Sequence, residues 1–177
     1  MAETGNPARK RSLVLFLSAL ATSAAVLSAV LVVVDQRVAG FVAALGSGSA
    51  LLLAGVKTDE TQDARLRFAD SLAERTVDAV ILGTLAWVAF PEAPGVAAAA
   101  LVALVASYLA SYLRARAVGL GFVVEDALLM RPLRMTFVAL GLLDHPAAQI
   151  ALWAATAVSL QTIIVRAVAV ARQKEPR

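Results

Sequence analysis

Residues 12–34 contain no charged side chain and are almost wholly apolar. A helix needs about 20 such residues to cross the roughly 30 Å hydrocarbon core of a bilayer. Five more apolar stretches follow, at 38–56, 69–90, 95–113, 131–143 and 147–170, separated by short polar breaks. This pattern predicts an all-α integral membrane protein, a bundle of six transmembrane helices. Composition agrees: 60% of the 177 residues are apolar, against about 45–50% in soluble domains. Arg9-Lys10-Arg11 precede the first run as the basic segment of a signal peptide would. The uncharged run is too long for a signal peptide's apolar region, so a retained span is expected. The expected organisation is a tail at 1–11, a membrane domain at 12–172 and a tail at 173–177.

Breaks between the runs are chemically distinct. Asp35-Gln36-Arg37 closes the first run, Pro91-Glu92-Ala93-Pro94 the third and Asp144-His145-Pro146 the fifth. The segment 57–67 reads as a polar loop, helical in part. The fourth helix is expected to continue through Arg114 and Arg116. The fifth opens at Arg131-Pro132, a tolerated first-turn proline, and looks short unless it begins earlier. Gly46, Ser47, Gly48 and Ser49 in the second run allow close helix approach.

Six spans place both termini on one side. That side collects 15 of the 16 basic residues, and Arg37 alone falls on the other. The positive-inside bias therefore predicts a multi-pass protein of the cytoplasmic (inner) membrane with both termini cytoplasmic. Because the basic residues sit at span ends, the net charge of +3 is no nucleic-acid signal. With no cysteine, disulfides and thiolate metal sites are excluded.

The most charged stretch runs from Ser49 to Arg75. Asp70, Glu74 and Asp78 recur every fourth residue, so on a helix they share one face. Acids at the mouth of a membrane helix are costly unless a cation compensates them. A basic set, Arg114, Arg116, Arg131 and Arg134, falls on the same predicted side. Arginine forks suit phosphate oxygens, and carboxylates suit a magnesium that neutralises a diphosphate. Together they suit a phosphorylated headgroup or nucleotide-linked lipid. Simpler readings stand beside this one. Asp70 and Glu74 also fit as solvated acids near a helix N-terminus, and the arginines as topology signals. Asp59, Glu60 and Asp63 read as solvated loop charges, His145 as a turn residue, Trp87 as an interfacial aromatic and Trp153 as packing.

These residues resemble the CDP-alcohol phosphatidyltransferases, six-span enzymes that displace CMP from a CDP-linked donor with an alcohol. The family pattern reads D-x-x-D-G-x-x-A-R and then G-x-x-x-D-x-x-x-D. Asp70-Ser71-Leu72-Ala73-Glu74-Arg75 is similar to its D-S-L-A-D-R segment. Ser111-Tyr112-Leu113-Arg114-Ala115-Arg116 resembles S-Y-x-x-A-R, and Met130-Arg131-Pro132-Leu133-Arg134 resembles E-R-P-E-R. The last two are most similar to the bacterial phosphatidylglycerophosphate and phosphatidylinositol-phosphate synthase branch, where such arginines hold the acceptor's phosphate. The resemblance covers nearly the whole chain.

It departs at the metal. Counting back from Asp70 without a gap, the first two metal aspartates fall on Ser49 and Leu52, and the motif glycines on Leu53 and Leu66. A second register, with Glu60, Ala64, Arg65 and Asp78 on motif positions, loses the first and last acids at Lys57 and Leu82. The resemblance implies magnesium or manganese, held here by Asp70 and Glu74 only weakly or vestigially. It implies a phosphate site at Arg114, Arg116, Arg131 and Arg134, lipid partners (CDP-linked or anionic phospholipid) and a homodimer. Two functions stay open. One is a diverged, catalytically impaired member that binds a phosphorylated ligand or anionic lipid, or partners an active paralogue. The other is a working transferase with an altered metal site. A small transporter is weaker, since no ionisable residue is placed at the bilayer midplane. Reporter fusions at residues 93 and 177 are expected to give opposite topology signals, and matching signals would refute six spans.

Overall fold

A computed structural model describes residues 7–61, 63–124, 130–143 and 145–173. Among the described residues the chain forms six α-helices and no strand: α1 (Pro7–Val33), α2 (Arg37–Thr61), α3 (Ala64–Ala89), α4 (Pro94–Gly119), α5 (Met130–Leu140) and α6 (His145–Ala171). The chain divides into two compact units, Met1–Thr84 and Leu85–Arg177, with the boundary inside α3.

In the first unit α1 and α2 form an antiparallel hairpin. The turn between them closes by a Schellman arrangement, Gln36 N–H to Leu31 O at 2.7 Å and Asp35 N–H to Val32 O at 3.1 Å. Asp35 takes the left-handed conformation this requires, at φ 61°, which a short polar side chain tolerates better than a bulky one. The buried positions of α1 are Val14, Ser18, Ala21, Ala25, Ser28 and Val32, and those of α2 are Gly40, Ala44, Ser47, Leu51, Ala54 and Thr58, with Ala50 and Gly55 buried beside that row. Both sets advance by alternating steps of four and three, the heptad seam of a left-handed helix pair. Most of these residues are small, which lets the backbones approach. Ser28 Oγ donates to Gly40 O at 2.8 Å and Ser47 Oγ to Ala21 O at 2.7 Å. These two bonds tie early α2 to late α1 and the reverse, which fixes the antiparallel register.

The second unit uses the same seam in the other orientation. Buried α4 residues include Val96, Ala100, Ala103, Ser107, Ala110 and Ala117, and α6 buries Ala148, Leu152, Ala155 and Ser159. Gly95 at the start of α4 lies against Gln149 at the start of α6. Near their other ends Arg166 Nη1 donates to Ala110 O at 2.7 Å. The two helices are therefore parallel. Between them in sequence α5 runs back, and the turn after it places Gly141 against Leu152. A second Schellman arrangement ends α4, with Phe122 N–H to Ala117 O and Gly121 N–H to Val118 O, both at 3.0 Å. Gly121 supplies the positive φ of 84°.

Four segments are long and apolar enough to cross a membrane: Ala8–Val33, Arg37–Thr58, Pro94–Gly119 and Pro146–Ala171. Helix α3 has the length, 26 residues, but carries six charges in its first fifteen residues. Helix α5, expected over 131–143, has 11 residues and spans roughly 16 Å. The predicted polar loop at 57–67 is instead mostly helix, since α2 runs to Thr61 and α3 begins at Ala64. Polarity there reports departure from lipid, and the helical backbone continues because its bonds are internal to each helix. As predicted, α4 continues through Arg114 and Arg116.

A Cβ on Gly40 would lie 2.7 Å from Val32 Cγ2 and 3.3 Å from Ser28 O. Gly40→Ala is expected to destabilise the protein by about 1–3 kcal/mol, read as a lower thermal midpoint in detergent. Gly46→Ala, with nothing within 4 Å, serves as the control and should not.

Candidate functional site

The acids predicted to share a face do so, and that face is buried. Asp70, Glu74 and Asp78 are 5%, 8% and 1% exposed. They occupy three consecutive steps of an i,i+4 row that Leu66 opens and Leu82 closes, both buried. Three carboxylates thus stand where the helix pattern asks for apolar side chains. Arg75 answers them. Its Nη2 lies 2.9 Å from Glu74 Oε1 and its Nη1 2.9 Å from Asp78 Oδ2. The Arg75 side chain is itself 12% exposed, so the fork is largely out of water.

The positions that would complete a metal site from α2 do not supply it. Ser49 is exposed and donates its hydroxyl to Leu45 O at 2.9 Å, within its own helix. Leu52 has no side-chain oxygen. Among the described residues no group of three or more His, Asp or Glu is arranged to hold a metal ion. One oxygen of Glu74 is engaged by a guanidinium, and a two-metal centre needs carboxylates on both sides of the ions. The donor set does not fit such a centre.

The arginines lie in the second unit. Arg134 is 8% exposed and donates from Nη1 to Ser107 Oγ at 2.6 Å, with Ser107 1% exposed. Arg166 reaches Ala110 O, one helical step along α4. Arg114, half-buried, continues the row of Ser107 and Ala110. Arg116 is exposed and sits about 200° around the helix from Arg114. Arg131 lies in the first turn of α5, but its side chain lies outside the described residues. So do Glu125, Asp126, Asp144 and the side chains of Asp59, Glu60 and His145. At this same end Gln173 grips the segment after α4: Val123 N–H donates to its Oε1 at 3.0 Å, and its Nε2 donates to Val123 O at 2.8 Å.

The chain is similar to the phosphatidylinositol phosphate synthase of Corynebacterium glutamicum, 38% identical over 107 residues, covering 56% of this chain and 49% of that protein. This similarity agrees with the resemblance to the CDP-alcohol phosphatidyltransferases read from the sequence. It spans about half the length of that curated relative. No family model and no solved structure matches it.

The sequence assigned Asp70 and Glu74 to the site and left out Asp78, Arg75 and Arg166. Asp78 was visible as the third member of the row. Arg166 was visible as the one charge inside the last apolar run, on the seam set by Ala148, Leu152, Ala155 and Ser159. Both Arg75 and Arg166 were absorbed into the positive-inside count. Ser107 had no sequence signal, because Ser111 sits in the family-like segment and Ser107 does not.

Ser107→Ala removes the acceptor from a buried arginine. It is expected to cost about 1–3 kcal/mol of stability, measured by thermal unfolding. The same change at half-buried Ser111 is expected to have a smaller effect.

Proposed function

We propose that this protein is a six-span membrane protein of phospholipid synthesis that binds a phosphorylated headgroup or phosphorylated alcohol at the arginines of its second unit. In this reading α3 and α5 complete the six spans, both termini are cytoplasmic, and metal-assisted transfer from a CDP-linked lipid is impaired. The observation that carries it is the seating of Arg134 and Arg166 on α4 at Ser107 and Ala110, one step apart. A buried cation within a membrane segment is costly and by default marks a functional position. Two guanidinium groups seated three residues apart along one helix suit a phosphate dianion, which accepts charge-assisted bonds from several donors. Likeness to a phosphatidylinositol phosphate synthase supports a lipid-linked ligand. Arg114, Arg116 and Arg131 are proposed to contribute from the flanking segments.

The impairment rests on α2. Ser49 and Leu52 bring no carboxylate, and Arg75 already occupies oxygens of Glu74 and Asp78. Without two cations the departing CMP lacks its charge stabilisation. The second reading, an active transferase, is favoured by one observation: Asp70 and Glu74 are retained and buried in the family-like segment. A homodimer, or a pair with an active paralogue, is the expected assembly.

Purified protein in lipid nanodiscs with labelled CDP-diacylglycerol, magnesium or manganese, and a phosphorylated alcohol is expected to release no CMP. Metal-dependent release lost in Asp70→Asn would establish the active reading instead. Binding of glycerol 3-phosphate by calorimetry is expected to weaken about tenfold or more in Arg134→Gln and in Arg166→Gln. Unchanged binding in both would remove the arginine site.

A further inference from the structure

We propose that Gln173 is a positioning residue of the arginine site: its side-chain amide latches the end of α6 to the chain leaving α4, and so sets where Arg166 stands. The proposal rests on the reading that Arg134 and Arg166 hold a phosphorylated ligand.

Three observations carry it. The first is how fully the amide is bonded. Its Oε1 accepts the Val123 N–H at 3.0 Å, and its Nε2 donates to Val123 O at 2.8 Å and to Ala169 O at 3.1 Å. A glutamine side chain offers two N–H donors and one acceptor oxygen. Both donors and the oxygen are engaged here, which holds the amide in one orientation.

The second is what these bonds replace. Val123 lies just past the turn that ends α4, where neither helix nor strand serves its backbone. Backbone groups without partners are costly. The amide takes both groups of Val123, as a residue on a paired strand would. At its other side the amide serves α6. Ala169 O is among the last carbonyls of that helix, which have no partner inside it, and the Gln173 N–H goes to Val170 O at 3.1 Å. One side chain therefore closes the end of α6 and ties it to the exit of α4.

Position is the third. Gln173 follows Arg166 by seven residues, about two helical turns, so the two fall on one side of α6 and about 10 Å apart along its axis. That side meets the α4 segment: Arg166 Nη1 reaches Ala110 O, and Gln173 reaches Val123. Arg166 sits on a long stem, and its seat is a single backbone carbonyl. The aim of its guanidinium therefore depends on how firmly the last turns of α6 are held. Helix ends fray first, and Gln173 pins this one.

The test uses the full chain in lipid nanodiscs. It reads hydrogen exchange at Val123, binding of glycerol 3-phosphate by calorimetry, and the thermal midpoint. Gln173→Met removes the amide and keeps the stem. It is expected to speed exchange at Val123 about tenfold and to weaken glycerol 3-phosphate binding about threefold. The midpoint is expected to stay within about 2 °C of the parent's. A lowered midpoint with unchanged affinity would leave Gln173 a structural role only and overturn the proposal, as would unchanged exchange at Val123. Affinity unchanged in Arg134→Gln and Arg166→Gln as well would instead remove the site on which the proposal rests.

Discussion

Inside a bilayer no water drives helices together, because lipid tails are as apolar as leucine. Close backbone approach must do that work. The α1–α2 pair depends on it, through Ala21, Ala25, Gly40 and Ala44 along one heptad seam. The α4–α6 pair repeats the device with Ala100, Ala103, Ala148 and Ala155, in parallel rather than antiparallel orientation. Hydroxyl groups follow the same constraint. Thr22, Thr58, Thr76, Thr156, Ser159 and Thr162 each donate to the carbonyl four residues back, which satisfies them without a partner helix. Ser28 and Ser47 instead donate across the α1–α2 seam, where a short side chain reaches the neighbouring backbone.

Charges that survive in such a frame need partners that the frame supplies. The two units solve this differently. On α3 one partner is local: Arg75 is adjacent to Glu74 and three residues from Asp78. In the second unit partners come from other helices. Arg134 on α5 and Arg166 on α6 meet α4 at Ser107 and Ala110, so these contacts exist only after α4, α5 and α6 have packed. A cross-helix seat depends on that packing, and the arginine seats carry the functional argument.

Legibility in the sequence follows the same division. Uncharged runs announced α1, α2, α4 and α6 to within a few residues, because lipid burial is written one residue at a time. Turn chemistry was also visible, in Asp35-Gln36 and in Gly121. The segment 57–67 was read as a loop helical in part, and the helix extends over more of it than charge suggested, because a helix satisfies its own backbone in water and in lipid alike. Helix α5 was recognised through Arg131-Pro132 and Arg134, with its end placed at 143 instead of Leu140. The acid row was readable as a face, since periodicity alone places Asp70, Glu74 and Asp78 together. What the face touches was not readable. Arg75 and Arg166 look identical to topology signals until a rotamer aims one along α3 and a helix pairing brings the other to Ala110.

The connector after α4 shows how far the arginine segments depend on one another. Arg114 and Arg116 precede it and Arg131 and Arg134 follow it, so its path governs their spacing. Two devices define the start of that path. Gly121 ends α4 in a left-handed turn that reverses the chain at a fixed angle. Two residues later, the amide of Gln173 takes both backbone groups of Val123, as a neighbouring strand would, while also donating to Ala169 O at 3.1 Å. Gln173, just past α6, therefore holds the segment that leads to α5, and α6 also delivers Arg166 to α4. One helix both supplies an arginine and orders the approach to the others. That economy follows from the parallel pairing of α4 and α6, which brings their C-terminal ends to the same place.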